Sequence, residues 1–366
     1  MKIFVDIYLA KNVGDDLFLK ILAEKFPEVQ FIINYYGNEY DEFVEKYPNI
    51  IRPAYPLPYR VLNRLHVYDY INDARRISKS CDACLLLGGS IFREESYWKS
   101  VYAMRMKLAQ AFGSQNKPVL VLGANFGPYY SDEFLRSYKK FFSLCYDVCF
   151  REQYSYNLFR DIPVVRYEKD IVFQLDIKTE RTEKKQVCYS VIDPNHVAGL
   201  QQYREQYLDW LKESILWNIS RGYRCILISF CQAEGDLEVC QELLTRFNDV
   251  TSQQIDVLTY TGDLEKIFSC MAESEIIIAS RFHAVILALI LKKKFLPLVY
   301  SQKTINVLQD LNYPHDIVPI SQCINYEIKP TMQALQQSVW SWDIDTYRGS
   351  AERQFDRLRE LVEQET

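Results

Sequence analysis

Short apolar runs alternate with longer amphipathic stretches along most of this chain. This alternation is typical of parallel strands covered by helices and predicts an α/β fold. With 366 residues, the chain exceeds what one hydrophobic core usually fills, so we expect two domains. The runs predicted as strands are Lys2–Ile7, Val29–Asn34, Ala83–Leu87, Pro118–Leu122, Val148–Phe150, Pro163–Val165, Gln186–Ile192, Arg224–Phe230, Asp256–Tyr260, Glu275–Ile278 and Phe295–Val299.

A charged stretch near residue 176, DIKTERTEKKQ, interrupts the pattern and is typical of an exposed linker. We therefore predict two Rossmann-like domains that face a cleft, residues 1–176 and 177–335. The polar, helical tail, residues 336–366, is expected to pack back on the first domain. In open parallel sheets ligands gather beyond the carboxyl ends of the strands, so residues that directly follow the strands are the functional candidates.

Charge and composition narrow the function classes. The net charge of -5 and the pI near 5.6 argue against a broad basic surface for nucleic acid. The start, MKIFVDIYLAKN, does not resemble a signal peptide, and no apolar run reaches the roughly 18 residues of a spanning helix. We expect a cytoplasmic protein whose ten cysteines stay reduced and mostly pack in the core.

Two turns in the first half could bind an anion or position a reacting group. Asn12, Gly14 and Asp15 follow the first strand and enter a helix, where the alternative is an ordinary capped turn. Gly89 and Ser90 lie in the Gly-Gly-Ser turn that follows the predicted apolar strand Ala83–Leu87. They could offer backbone N–H groups to an anion, although paired glycines also occur in turns that bind nothing.

Two further strand ends in the first half carry an amide and an arginine. Asn125 lies in the turn GANFGP and could direct its amide towards the cleft. Arg151 ends a strand and could grip phosphate or carboxylate in a bidentate manner. The alternative for Arg151 is a surface ion pair with Glu152.

The second half contains the most informative junction, Ile-Ile-Ile-Ala-Ser-Arg281-Phe-His283. An arginine between an apolar strand and an apolar helix is costly unless an anion neutralises it. A neutral histidine beside it can act as acid or base near neutral pH. Lys303 follows the next strand and could add a cation, the alternative being a solvated lysine. Cations from both domains are expected to converge on the cleft.

Taken in order, these motifs resemble those of the polysaccharide pyruvyl transferase family. The shared pattern is N-x-G-D, a Gly-Gly turn, G-x-N-x-G-P, R-E-x-x-S, R-x-H and Y-x-x-K, and it spans most of the chain. The resemblance implies a pair of Rossmann-type domains of the glycosyltransferase-B type. It also implies transfer of a pyruvyl group from phosphoenolpyruvate to two sugar hydroxyls, which gives a ketal and releases phosphate.

The resemblance implies roles for particular residues. His283 would supply a proton or stabilise the leaving phosphate, Arg281 and Arg151 would hold the anionic groups, and Asp15 is the candidate base. The first domain would lie on the acceptor side and the second on the phosphoenolpyruvate side. No cofactor beyond this donor and no metal ion is expected. The other candidates for substrate binding are Gly89, Ser90, Asn12, Gly14, Asn125 and Lys303.

Two departures from the family pattern keep alternatives open. Lys292–Lys294 stands where the family often has Gly-x-Pro, and Ser301 replaces the aspartate of a Tyr-Asp pair. The alternatives are a glycosyltransferase that uses a nucleotide sugar and a non-catalytic member of a polysaccharide assembly. The lysine run and the basic stretch Arg60–Arg64 leave peripheral contact with an anionic membrane open, at its inner face, where a lipid-linked acceptor would lie. Self-association is left open as well.

Overall fold

A computed structural model describes residues 1–35, 37–53, 55–65, 72–178, 182–339 and 342–364. The chain forms two compact units. Unit 1 contains Met1–Leu9, Phe18–Gln174 and Thr346–Thr366, and unit 2 contains Ala10–Leu17 and Leu175–Asp345. The predicted first domain, residues 1–176, differs from unit 1 in residues 10–17, which pack with the second unit through contacts that lie far apart in sequence.

Unit 1 contains a parallel sheet of seven strands in the order β3-β2-β1-β4-β5-β6-β7. Its central strands are fully buried, as expected for apolar runs covered by helices on both faces. The strands are β1 (Lys2–Asp6), β2 (Gln30–Ile33), β3 (Ile50–Ile51), β4 (Ala83–Leu87), β5 (Val119–Ala124), β6 (Asp147–Phe150) and β7 (Val165–Tyr167).

Amphipathic helices connect these strands and bury their apolar faces against the sheet. An aromatic cluster that includes Phe92, Phe126, Phe142 and Phe159 fills the space under helices α5 to α7. The helices up to β7 are α1 (Val13–Lys25), α2 (Asp41–Lys46), α3 (Leu57–Arg64), α4 (Ala74–Ser80), α5 (Trp98–Gly113), α6 (Asp132–Phe142) and α7 (Gln153–Phe159).

Unit 2 contains a parallel sheet of six strands in the order β10-β9-β8-β11-β12-β13. Numbered from its own first strand, this is the order 3-2-1-4-5-6 of a doubly wound sheet, which unit 1 also follows. The strands are β8 (Lys184–Ser190), β9 (Arg224–Ser229), β10 (Ile255–Thr259), β11 (Ser274–Ala279), β12 (Lys294–Val299) and β13 (Val318–Pro319).

The helices of unit 2 flank its sheet, and two more helices complete the chain. Short 3-10 turns precede α8 and α9. No helix among the described residues combines the length and apolar character needed to cross a membrane. The helices are α8 (Arg204–Ser220), α9 (Asp236–Thr245), α10 (Asp249–Ser252), α11 (Leu264–Glu273), α12 (Phe282–Ile290), α13 (Gln302–Asp310), α14 (Ile328–Gln337), α15 (Ile344–Arg353) and α16 (Asp356–Gln364).

The segment after β3 differs from its sequence-based interpretation. Three prolines predict an extended loop over Arg52–Tyr59, yet α3 begins at Leu57. Pro58 lies in the first turn of this helix, where its missing N–H has no intrahelical acceptor to lose. The basic and aromatic stretch from Arg60 to Tyr70 is predicted to be a loop that leads into a helix, and its end, residues 66–70, lies outside the described residues.

The tail helices contact unit 1 through a buried glutamine. The side-chain carbonyl of Gln354 accepts a hydrogen bond from the Gly123 N–H at 3.1 Å. Its amide donates to the carbonyl oxygens of Phe150, Glu168 and Lys169 at 3.4, 3.3 and 3.1 Å. The side chain is completely buried, so it satisfies backbone groups that water does not reach.

We predict that Gln354→Ala lowers the free energy of unfolding by about 1–3 kcal/mol, because buried polar groups lose their partners. Urea denaturation followed by circular dichroism measures this change. Gln364→Ala, at an exposed position of α16, is the matched control and should change the stability little. Equal stability of the two variants would contradict the packing role of Gln354.

Candidate functional site

In unit 2 the candidate residues lie where the strand order reverses. Strands β8 and β11 are neighbours there although a crossover of two strands separates them in sequence. The Ser190 hydroxyl, at the end of β8, accepts hydrogen bonds from the N–H groups of Ser280 and Arg281 at 3.1 and 3.2 Å. Ligands of doubly wound sheets bind at this reversal point.

Arg281 connects β11 to α12 and is almost completely buried, with 9% of the residue exposed. Its Nε donates to the Asp236 carboxylate at 3.0 Å, and Nη2 bonds the other oxygen of the same carboxylate. Nη1 pairs with Glu234. Desolvation lowers the pKa of Arg281, but the negative charges of Asp236 and Glu234 outweigh this effect and raise it above its ordinary value. Carboxylates of the protein itself therefore neutralise this arginine.

This pairing corrects the premise that Arg281 needs a bound anion. The charge is balanced by Asp236, which is fully buried at the start of α9. Asp236 also accepts the N–H groups of Phe230 and Cys231, each at 3.0 Å. Burial raises the pKa of Asp236 to about 6, although Arg281 and the backbone donor lower it. The ion pair joins the end of β9 to the β11–α12 junction.

His283 lies in the first turn of α12 and is half-buried. Its ring packs edge-on against Phe282, with the ring centroids 5.0 Å apart. A Cβ atom on Gly14 would overlap the imidazole, so glycine is required for this approach. The N-x-G-D turn and the R-x-H junction, distant in sequence, therefore come together within unit 2.

The turn that contains Gly14 is held in place by the ends of β9 and β10. The Asn12 side chain accepts the Gly14 N–H at 2.9 Å, and the Val13 N–H donates to the Phe230 carbonyl at 3.1 Å. Asp16 is fully buried and accepts the Tyr260 hydroxyl at 2.6 Å. Asp15, the candidate base, is half-buried in the same turn.

Lys303 lies near the same junction. Its Nζ is 5.7 Å from the centroid of the Phe282 ring, the ring that His283 also contacts. The lysine is half-buried at the start of α13. This contact brings a cation to the histidine's neighbourhood and argues against a fully solvated lysine.

The candidates of unit 1 form a second cluster at the carboxyl ends of β4, β5 and β6. The carbonyl oxygen of the Asn125 side chain accepts Arg151 Nη2 at 2.7 Å and the Ser90 hydroxyl at 3.3 Å. Arg151 Nη1 donates to Asp170 at 2.8 Å. A Cβ atom on Gly89 would overlap the guanidinium, so this glycine makes room for it.

Burial in this cluster corrects one alternative. Only 2% of Arg151 is exposed and its carboxylate partner is Asp170, so it is not part of a surface pair with Glu152. The side-chain oxygen of Asn125 also binds this arginine, and a ligand contact of its amide stays a prediction. The physical cause is that a buried guanidinium must be neutralised and hydrogen-bonded.

Sequence reasoning missed the carboxylates that hold the two arginines. Asp170 follows β7, Glu234 lies in the connection after β9, and Asp236 begins α9. Searching the whole strand-to-helix connections for acidic residues, and not only the residues directly after each strand, would have found them. The two clusters belong to different units, so their convergence on one cleft stays a prediction. Among the described residues, no group of three or more His, Cys, Asp or Glu side chains is arranged to hold a metal ion.

A family model for polysaccharide pyruvyl transferases matches residues 12–302 of the chain. The matched range includes the Asn12 turn, the Gly-Gly turn and the R-x-H junction. The chain belongs to the polysaccharide pyruvyl transferase family. Membership identifies the protein as a transferase that acts on polysaccharide and confirms the resemblance seen in its motifs. No curated protein sequence matches the chain.

Solved structures similar to this family member share its fold. The UDP-GlcNAc 2-epimerase of Methanocaldococcus jannaschii, in complex with UDP-GlcNAc and UDP, superimposes with a TM-score of 0.61 at 14% identity, covering 99% of each chain. A putative UDP-N-acetylglucosamine 2-epimerase of Listeria monocytogenes superimposes with a TM-score of 0.58 at 9% identity, covering 99% of this chain and 96% of the other. Anabaena HepE, in complex with UDP and glucose, superimposes with a TM-score of 0.53 at 12% identity, covering 100% of this chain and 99% of the other. These likenesses confirm two parallel-sheet α/β domains of the glycosyltransferase-B type.

We predict that Asp236→Asn lowers the free energy of unfolding by about 3–5 kcal/mol, because it leaves the buried Arg281 without a full countercharge. Asp256→Asn is the matched control, since Asp256 pairs with the exposed Arg224 in the same unit. Asp256→Asn should lower the free energy of unfolding by less than about 1 kcal/mol. Urea denaturation of both variants checks this, and similar losses would refute the special role of the buried pair.

We predict that Gly14→Ala displaces the His283 imidazole because the new methyl group overlaps the ring. Proton–carbon spectra of the four histidine rings should show one resonance pair moving, identified by its absence in His283→Gln. Gly113→Ala, where a Cβ meets nothing within 4 Å, is the control and should leave all ring resonances in place. Unchanged spectra of Gly14→Ala would contradict the contact.

Proposed function

We propose that this protein transfers a pyruvyl group from phosphoenolpyruvate to two hydroxyls of a saccharide, forming a ketal and releasing phosphate. The observation that carries the proposal is the His283 junction. A half-buried imidazole lies against the N-x-G-D turn, and Lys303 contacts the ring of the neighbouring Phe282, within a chain of the pyruvyl transferase family. Family membership supports a polysaccharide transferase, and the donor and the ketal are our proposal.

Phosphoenolpyruvate carries a phosphate and a carboxylate, so its binding site needs fixed cations. In unit 2, Lys303 and the N–H groups at the start of α12 would supply positive charge beside His283. Arg281 uses three of its five N–H donors on Asp236 and Glu234. We propose that the remaining donors contact the substrate while the ion pair fixes the junction.

The proposed reaction begins when protonated His283 donates a proton to the methylene carbon of phosphoenolpyruvate, forming a C–H bond. The cationic character at the neighbouring carbon allows the first sugar hydroxyl to attack and form a C–O bond. Asp15 would accept the hydroxyl proton and return it to the imidazole. Cleavage of the bond to phosphate then lets the second hydroxyl attack, and its proton leaves with the phosphate.

Unit 1 would bind the acceptor. A cavity of about 100 Å³ lies at the carboxyl ends of β1 and β2 and is lined by Asp6, Asn34 and Asn72 among other residues. Carboxylate and amide groups suit the hydroxyls of a sugar. In the second cluster, Arg151 would act as a positioning residue because Asp170 and Asn125 already bind it. Gly89 and Ser90 would present the donors of this turn.

We predict that His283→Ala lowers the rate of phosphate release from phosphoenolpyruvate by about 10²–10⁴, the usual effect of removing a positioned acid. The assay incubates the protein with phosphoenolpyruvate and a panel of candidate glycans and measures released phosphate. His196→Ala, at an exposed histidine of the same unit, is the control and should retain full activity. Full activity of His283→Ala would refute the assignment.

Thermal shift identifies the donor independently of the acceptor, because a ligand that binds the native state raises the melting temperature. Phosphoenolpyruvate should raise it, whereas UDP-sugars should not. A shift with nucleotide sugars alone would favour a glycosyltransferase. No shift with either donor, together with no phosphate release, would favour a non-catalytic role.

A further inference from the structure

Helix α3 presents an apolar face to solvent. Leu57, Val61 and Leu65 are 69%, 49% and 64% exposed. Leu65 continues the helix by one residue, since its N–H donates to the Val61 carbonyl at 3.0 Å. At 100° per residue, these three side chains and the exposed Pro58 lie within an arc of about 100°. A helix in a globular protein normally buries such a face.

The stretch of sequence that contains this face is basic. Residues 52–80 contain six arginines and lysines but only two aspartates, a net charge of +4 in a chain whose net charge is -5. Arg64 at the end of α3 and Arg75 and Lys79 on α4 are exposed. The combination of exposed aliphatic side chains and clustered cations is typical of a helix that lies in a membrane interface.

The segment that contains α3 is anchored beside the sheet of unit 1 by a residue that follows β2. Asn34, directly after β2, accepts the Tyr55 hydroxyl at 2.5 Å through its side-chain oxygen. Its amide donates to the side-chain oxygen of Asn72 at 3.0 Å. The two ends of segment 55–72 therefore meet at Asn34. The apolar face of α3 is therefore exposed on a segment that is anchored at both ends, and not on a free chain end.

The lysine run in unit 2 does not provide a comparable surface. Lys293 pairs with Glu183 at 2.7 Å, and Lys294 bonds the Gln336 carbonyl. Two of the three charges are thus engaged within unit 2, and only Lys292 is exposed. The sequence left the two basic stretches equivalent, whereas the structure distinguishes them by the aliphatic side chains that accompany α3.

We propose that α3 docks unit 1 onto an anionic lipid membrane. Leu57, Val61 and Leu65 enter the boundary between headgroups and acyl chains, and Arg64 and its basic neighbours contact the headgroups. A lipid partner is favoured over a protein partner because the exposed side chains of this face are aliphatic, whereas protein interfaces are enriched in aromatic residues. The contact would hold the enzyme beside an acceptor carried on a lipid.

Co-sedimentation with vesicles tests the proposal on the full-length protein, without substrate. The protein should sediment with vesicles of phosphatidylcholine and phosphatidylglycerol but not with phosphatidylcholine alone, and added salt should release it. Leu57→Glu and Leu65→Glu should each weaken binding about tenfold or more. Arg64→Gln should weaken it about fivefold.

Ile324→Glu is the matched control, because Ile324 is 67% exposed in unit 2 and its substitution should leave binding unchanged. Melting curves should show that all the variants are folded. Wild-type protein that stays in the supernatant, or α3 variants that bind as wild type does, would overturn the proposal. A dimer in size-exclusion chromatography that Leu65→Glu dissociates would assign the face to a second copy instead.

Phosphate release with a water-soluble acceptor separates this proposal from the proposed function. The α3 variants should retain that activity, since none of the substituted residues lies in the proposed catalytic cluster. Loss of vesicle binding with intact turnover supports docking. Vesicle binding by a protein that releases no phosphate leaves the docking proposal standing and refutes only the proposed function.

Discussion

The buried ion pair between Asp236 and Arg281 is the constraint on which the arrangement of unit 2 depends. Removing both charges from water is costly, and the cost is offset only because the carboxylate also accepts the N–H groups of Phe230 and Cys231. These contacts fix the end of β9 against the start of α12. Arg281 is the N-cap of α12 and His283 is the second residue of this helix, so the ion pair also determines where the imidazole lies.

Most of the fold could be predicted from the sequence because a strand buried on both faces must be a continuous apolar run. The predicted strand Ala83–Leu87 has the observed bounds, and the other predicted strands overlap the observed ones. The strands Ile50–Ile51 and Val318–Pro319 were not predicted, because two residues give no periodicity to detect. The helical start at Leu57 was missed because the surrounding prolines dominate the local pattern.

The candidate site was predicted less completely, since its partners lie far apart in sequence. Asp170 is 19 residues from Arg151, and Asp236 is 45 residues from Arg281. A single sequence reveals a costly charge, but it does not reveal whether a ligand or the protein will neutralise it. The contact of Gly14 with His283 shows the same limit, because only the folded chain explains why that position lacks a side chain.

Asn34 has a consequence for how this protein can vary. Because the chain leaves and re-enters the neighbourhood of one side chain, the excursion between Tyr55 and Asn72 is closed at its base. The entropy cost of closing such a loop depends only weakly on the number of residues in it. The excursion is therefore an exchangeable module: a different sequence grafted between the same two anchors could redirect the protein to another surface while the parallel sheet of unit 1 stays intact.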